Sequence, residues 1–206
     1  MARSTRESIV TATAELMRVK GFGAVAMKDV VAASGAPIGS LYHHFPGGKT
    51  QIAREALVDA GAAYGLLIPT LMAPHHDLGD GLEAVFGQAA TDMAETGYAN
   101  MCPVGSVAAE VADTVDELRE ATATVFTGWV EGGTAYFASR GVPSDAARDL
   151  TVTVVSALEG AFILARSLRD VEPLRAVGRV LGARYRGVAL TAEAESARPH
   201  ANSTSD

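Results

Sequence analysis

Ser40, Tyr42, His43 and Lys49, with Lys28 further upstream, are hydrogen-bond donors and cations of the types that hold phosphate oxygens. Ile38 stands among them and offers an apolar contact of the kind a thymine methyl accepts. All lie within residues 21–49, GFGAVAMKDVVAASGAPIGSLYHHFPGGK. To act together they need a rigid mount. Met27 to Ser34 can form a helix, Gly35 can take the positive φ that ends it, and Pro37 can open a second helix through Ile38, Leu41 and Phe45. That second helix is too short to stand alone, so its apolar side (Ile38, Leu41, Phe45) must pack on the preceding helices. Packing would turn Ser40, Tyr42 and His43 outward beside Lys49. Two short helices around one tight turn make a DNA-reading device.

Other reactive residue types do not assemble into a site. Cys102 could be a nucleophile, His75-His76-Asp77 could approach a metal, and Glu110 or Glu159 could move a proton. Adjacent histidines on a turn lack i, i+4 geometry and further ligands, and Cys102 has no evident histidine partner. The expectation is no catalysis, no metal and no cofactor. The lone Cys102, between Met101 and Pro103, reads first as a small buried hydrophobe.

Charge divides the chain in the same sense as the motif. Residues 1–54 hold seven Lys/Arg against three acids, whereas the remainder holds ten Arg, no Lys and 21 acids. The overall charge of −7 would argue against nucleic acid, but its distribution points the N-terminal quarter at a polyanion. With 206 residues and 48% hydrophobic content the chain can bury a substantial core. One cysteine permits no internal disulfide, and the N-terminal Met-Ala-Arg-Ser-Thr-Arg-Glu has no apolar leader core, so the expected compartment is cytoplasmic. The longest charge-poor stretches carry Pro69, or Pro37 and Pro46, so no membrane span is expected.

Helical period runs through nearly every segment. Helix one opens on Ser4 and Glu7 in capping-box spacing, carries Ile9, Thr13, Leu16 and Met17 on one side, and stops at Gly21. Gly48 is an acceptable N-cap for a long helix from Lys49 towards Met72, which would link the two halves of the molecule. Further helices are expected from about Asp80 to Thr96, Pro103 to Val111, Asp116 to Arg140, 145–169, and from Pro173. The 145–169 segment is apolar nearly all round and should be buried on both sides. Gly132 and Gly133 inside a helix cost about 1 kcal/mol each against alanine and imply a bend or a close approach. The expected class is all-α, with residues 1–48 as a three-helix DNA-binding domain, 49–190 as a helical body and 191–206 as a disordered tail.

On GSLYHHFP at residues 39–46, MKDV at 27–30 and Lys49 opening the next helix, the chain resembles the tetracycline-repressor (TetR) family of bacterial regulators. MCPVGSVAAE at 101–110, the F-x-x-W of 126–129 and ALEGAFILAR at 157–166 resemble the subgroup containing lincomycin- and flavonoid-responsive repressors. The resemblance implies Lys28, Ala36, Pro37, Ile38, Ser40, Tyr42, His43 and Lys49 at the DNA, a homodimer built on the last two helices, and a cavity for a small-molecule effector. Candidate cavity residues are Tyr64, Phe86, Met93, Cys102, Trp129 and Phe162, with Glu159 and Arg166 as polar anchors. Candidate dimer contacts are Ala157, Gly160, Ala161, Leu164, Val177 and Leu181.

The sequence departs from the family pattern at three places. Val25-Ala26 precedes Met27 where Ser or Thr commonly caps, which removes about 1 kcal/mol of capping. Val31 replaces a usual alanine at the helix crossing, and Ile38 replaces a usual Lys or Arg. The expected function is a repressor that binds a palindromic operator in double-stranded DNA and is released by a small apolar or aromatic molecule. The alternatives are an activator or ligand-independent DNA binder, and a ligand-binding helical protein without specific DNA function.

Overall fold

The computed structural model describes residues 4–99 and 101–191. These form ten helices: α1 Thr5–Lys20, α2 Met27–Ser34, α3 Ile38–His44, α4 Gly48–Gly65, α5 Leu67–Met72, α6 Leu78–Glu95, α7 Pro103–Val111, α8 Asp116–Ser139, α9 Ser144–Leu168 and α10 Glu172–Tyr185. The protein is all-α, as its periodicity requires. The expected tail lies outside the described residues except for Thr191, whose N–H donates to the Arg140 carbonyl at 3.0 Å.

The local signals act where they stand. Ser4 Oγ accepts the Glu7 N–H at 3.2 Å while Glu7 Oε2 accepts the Ser4 N–H at 2.8 Å, closing the capping box of α1. α2 has no side-chain cap at Ala26, but Asp29 reaches back to the Ala26 N–H at 3.5 Å and restores a weak part of it. Gly35 takes φ 68°, ends α2 and forms the tight turn. α6 starts two residues earlier than expected because Asp77 caps it, accepting the Asp80 N–H at 3.0 Å.

The expected long helix to Met72 is two helices. Pro69 has no N–H to give to the Gly65 carbonyl and its ring crowds that oxygen, so α4 ends at Gly65 and α5 begins at Leu67. Gly48, expected as the cap, is the first residue of α4 with φ 67°, and Gly47 precedes it as the cap. Gly48–Met72 and Ser144–Leu168 are long and apolar enough to cross a membrane by length and composition alone. Both instead supply buried side chains to helical cores, Ile52 and Leu57 from one and Leu150 and Val154 from the other.

Two apolar cores run through the molecule. The first joins α1, α2 and α3 to the start of α4, to α7 and to the first half of α8, through Leu41, Phe45, Ile52, Leu57, Val107 and Leu118. The second joins α6 and the end of α8 to α9 and α10. Packing therefore does not stop at residue 48: the hairpin shares its core with α4 and α7, and a displacement of either must be felt there. Gly133 is a close approach, where an added Cβ would stand 2.5 Å from Thr151 Cγ2, whereas Gly132 faces open space.

Candidate DNA interface and ligand cavity

The α2-turn-α3 hairpin sorts its residues by packing. Leu41 and Phe45 are fully buried and anchor α3 on α1 and α4. Burial of two such side chains supplies about 3–6 kcal/mol, which a seven-residue helix needs to hold its shape. Ile38, expected on the packed side, is half exposed, and with Tyr42 one turn later it forms an outward stripe beside Gly39 and His43. Ala36 is buried and cannot reach a duplex; its role is to seat the turn, with its N–H donating to Ser34 Oγ at 3.2 Å. Pro37 and Lys28 are exposed, and Ser40 is half-buried.

Lys49 does not point outward with them. Its ammonium donates to the Gly23 carbonyl at 3.3 Å and stands 4.3 Å from the centre of the Phe22 ring. Burial pushes its pKa down, opposed by the charge of Glu110. Glu110, near the end of α7, accepts the Phe22 N–H at 2.7 Å and the Gly23 N–H at 2.6 Å. Gly21 and Gly23 leave room for that carboxylate, because a Cβ on either would collide with it. The carboxylate thus ties α7 to the loop that enters α2. Sequence reading treated Glu110 only as a possible acid or base, and a contact spanning 87 and 88 residues leaves no local signal.

Ion pairing also reduces the basic surplus of the first 54 residues. Arg6 pairs with Glu55 and lies over Phe45, and Arg54 pairs with Glu117 at 3.4 Å, while Lys20 is held by Asp29 at 3.4 Å within the same segment. Among the described candidates, Lys28 is the cation that stands outward on the hairpin.

Behind the hairpin, α4, α5, α6, α8 and α9 converge on a cavity of about 160 Å³. Tyr64, Cys102, Trp129, Glu159 and Phe162 line it, together with Gln88, Asp92, Tyr136, Thr151 and Leu158, which sequence reading missed. Gln88 and Asp92 carried a signal: they are an i, i+4 polar pair beside the apolar stripe of α6, joined by a 2.8 Å hydrogen bond. Three expected lining residues lie elsewhere. Phe86 and Met93 are fully buried in the second core, Phe86 against Gly178 of α10, where the missing Cβ allows contact. Arg166 gives its guanidinium to the Val19 carbonyl of α1 at 3.0 Å.

Polar groups at the cavity are few. The Trp129 indole N–H donates to the Gly61 carbonyl at 2.7 Å. Burial pushes the Glu159 carboxyl up, and burial with the neighbouring Glu159 pushes the Cys102 thiol well up, so Cys102 is no activated nucleophile. Its sulfur accepts the Gly105 N–H at 3.3 Å and caps α7. Gly105 leaves space that a Cβ would take from the Glu159 carboxylate. Burial also pushes the Tyr64 phenol up.

The candidate dimer residues divide. Ala161 is buried inside the chain, and Ala157, Val177 and Leu181 are partly buried against the second core. Gly160 and Leu164 lie on the open side. The exposed apolar residues of this side are Val152, Ile163, Leu164 and Leu168 on α9 and Val180 on α10. α9 is covered on one side by the second core, and its other side, expected to face a partner, is open in the single chain.

An exposed recognition helix on a tight turn, joined to a helical body with an internal cavity, defines a helix-turn-helix regulator. Comparison with known proteins gives the family. Residues 9–56 match the model of bacterial regulatory proteins of the tetR family, and residues 79–180 match the model described as transcriptional regulator LmrA/YxaF-like, C-terminal domain. The chain is 38% identical over 184 residues to an HTH-type transcriptional regulator of Mycobacterium tuberculosis, covering 85% of this chain and 91% of that one. It is 29% identical over 170 residues to the HTH-type transcriptional regulator LmrA of Bacillus subtilis, covering 82% and 90%. The fold matches the regulatory protein TetR from Rhodobacter sphaeroides with a TM-score of 0.75 at 22% identity, covering 88% and 98%. The chain belongs to the TetR family of transcriptional regulators, with a C-terminal domain of the LmrA/YxaF type.

Proposed function

We propose that this regulator is a repressor that binds a palindromic operator as a homodimer in the cytoplasm and leaves it when a small aromatic molecule fills the cavity. The observation that carries the reading is the placement of α4: its first turns lie in the hairpin's core through Ile52 and Ala53, and Tyr64 near its other end lines the cavity. A ligand lowers DNA affinity only by preferring a conformation in which the two recognition helices are wrongly spaced. To swing the population from 99:1 to 1:99 that preference must reach about 10⁴-fold. α7 offers a second connection, from the Cys102 cap at the cavity to the Glu110 clamp on the α1–α2 loop.

At the operator, Ile38, Tyr42 and His43 face the groove and Lys28, Pro37 and Ser40 its edges, with residues 1–48 as the reading unit. Dimers form through the open face of α9 and α10, with Gly160 allowing close approach of the symmetry mate. Footprinting on the DNA upstream of the protein's own gene tests the reading. Protection of an inverted repeat that disappears on adding a ligand found by thermal-shift screening supports it. Diffuse protection, or protection indifferent to every cavity ligand, overturns it.

A further inference from the structure

The residues lining the cavity that can carry a full charge at neutral pH are of one sign, beside the hydroxyls of Tyr64, Tyr136 and Thr151. Asp92 and Glu159 are its carboxylic acids, Gln88 offers a carbonyl oxygen once its amide has bonded Asp92, and among the described residues no Lys, Arg or His lines it. The neighbouring cations have partners of their own, which for Arg140 include the hydroxyl of the lining Tyr136. Arg18 pairs with Glu15 at 2.8 Å, and Arg140 gives its guanidinium to Tyr136 Oη and the His75 carbonyl at 3.1 and 2.9 Å. The rest of the wall is aromatic or aliphatic, with Tyr64, Trp129 and Phe162 prominent.

Such a lining selects by charge. An anion would have to lose its hydration beside two carboxyl groups with no counter-charge, and a neutral aromatic would leave their charge unmatched, Asp92 holding only the Gln88 amide and Glu159 only the Cys102 thiol among the described residues. A ligand carrying a protonated amine brings the missing charge, and aromatic walls add to its binding. The volume is on the scale of one ring: a cavity of about 150 Å³ accommodates a benzene-sized molecule, and this one measures about 160 Å³. We infer that the effector is a small aromatic ammonium compound, a single ring bearing a protonated amine, with Glu159 and Asp92 taking the charge and Tyr64 and Trp129 the ring. Burial holds Glu159 towards its neutral form in the empty cavity, so the unliganded protein is not left with a bare charge there.

The inference rests on the ligand-responsive reading above, deepens it, and can fail separately from it. The probes are phenethylamine, 2-phenylethanol and phenylacetate: one ring size with cationic, neutral and anionic ends. Titration calorimetry on the full chain at neutral pH should rank the amine at least about tenfold tighter than the alcohol, and the alcohol tighter than the acid. Glu159→Gln, which keeps the shape, should bring amine and alcohol to within about threefold of each other, and Asp92→Asn should narrow the gap less. Thermal melting of each variant reports its folding. Binding of none of the three at millimolar concentration overturns the inference, as does equal or tighter binding of the acid, or an amine preference that survives Glu159→Gln combined with Asp92→Asn. Operator release is read in parallel titrations. Charge-blind binding with release sinks the ammonium assignment and leaves the repressor reading standing; amine-selective binding without release does the reverse.

Discussion

The hairpin and the cavity are built by opposite means. The hairpin is shaped by neighbours in sequence: Gly35 turns, Pro37 opens α3, and Leu41 and Phe45 are the anchors by which α3 enters the core it shares with α1 and α4. The cavity is assembled from side chains between Tyr64 and Phe162, on helices that meet only in the fold. A local device can be exposed and still rigid, because its anchors lie within a turn or two of its working face. A convergent one is adjustable, since a small shift of any contributing helix changes its shape. That contrast suits the proposed mechanism, in which the reading head is fixed and the body responds.

The comparison can be broken most severely at the open apolar face. Ile163→Glu with Val180→Glu places like charges about the proposed two-fold axis, and should convert dimer to monomer and lower operator affinity by at least about 100-fold. Sedimentation and anisotropy titration check both. A variant that stays dimeric and binds normally would move the interface to another surface.

Next in size is the cavity itself. Ala89 lines it, and Ala89→Phe adds a ring to its space. The expected result is either constitutive release of operator or intact binding without induction, at least about tenfold in either case. Normal affinity with normal induction would remove the cavity from the mechanism.

The Glu110 clamp sharpens the comparison, because it joins the two regions. Glu110→Ala removes two charge-assisted hydrogen bonds to the Phe22 and Gly23 N–H groups at an exposed site. A stability loss of about 1 kcal/mol in urea unfolding is expected, with induction weakened more than operator binding. Loss of operator binding with induction unchanged would assign the clamp to the hairpin alone.

The smallest effects fall on the reading face. Lys28→Ala should reduce the salt slope of binding by about one unit for all sequences alike. Ile38→Ala should leave the slope unchanged and cost about 1 kcal/mol of discrimination at one base pair. If Ile38→Ala weakened all sequences equally, α3 would sit too shallow for base contact.

What could be read in the sequence follows the same contrast. The bounds of α2 and α7 were legible to the residue, because a glycine cap and an N-terminal proline act on their own neighbours. Lys49 was not, since its turn onto Gly23 depends on Phe22 and Glu110. In the cavity, Tyr64, Trp129, Glu159 and Phe162 stood out as large or charged residues on apolar helices. Phe86 and Met93 stood out equally and went to the core, because periodicity gives the inward face of a helix without saying what it meets. On α9, apolar almost all round, the covered side could not be told from the open one. Small residues favoured Ala161 as the dimer contact, but it packs within the chain, leaving Ile163 and Leu164 exposed.

The central claim, that cavity and hairpin are coupled, is tested most directly by the distance between the two α3 helices of a dimer. A spin label at His43→Cys is read against the unsubstituted protein treated alike, in which Cys102 is buried with its thiol pushed well up. Without ligand, double electron–electron resonance should give a distribution compatible with successive major grooves, centred at about 35 Å. Saturation with a cavity ligand that releases operator should move that centre by several ångströms (roughly 3–6 Å) away from groove spacing. An unchanged distribution, recorded under conditions where the same ligand releases the operator, would contradict the account.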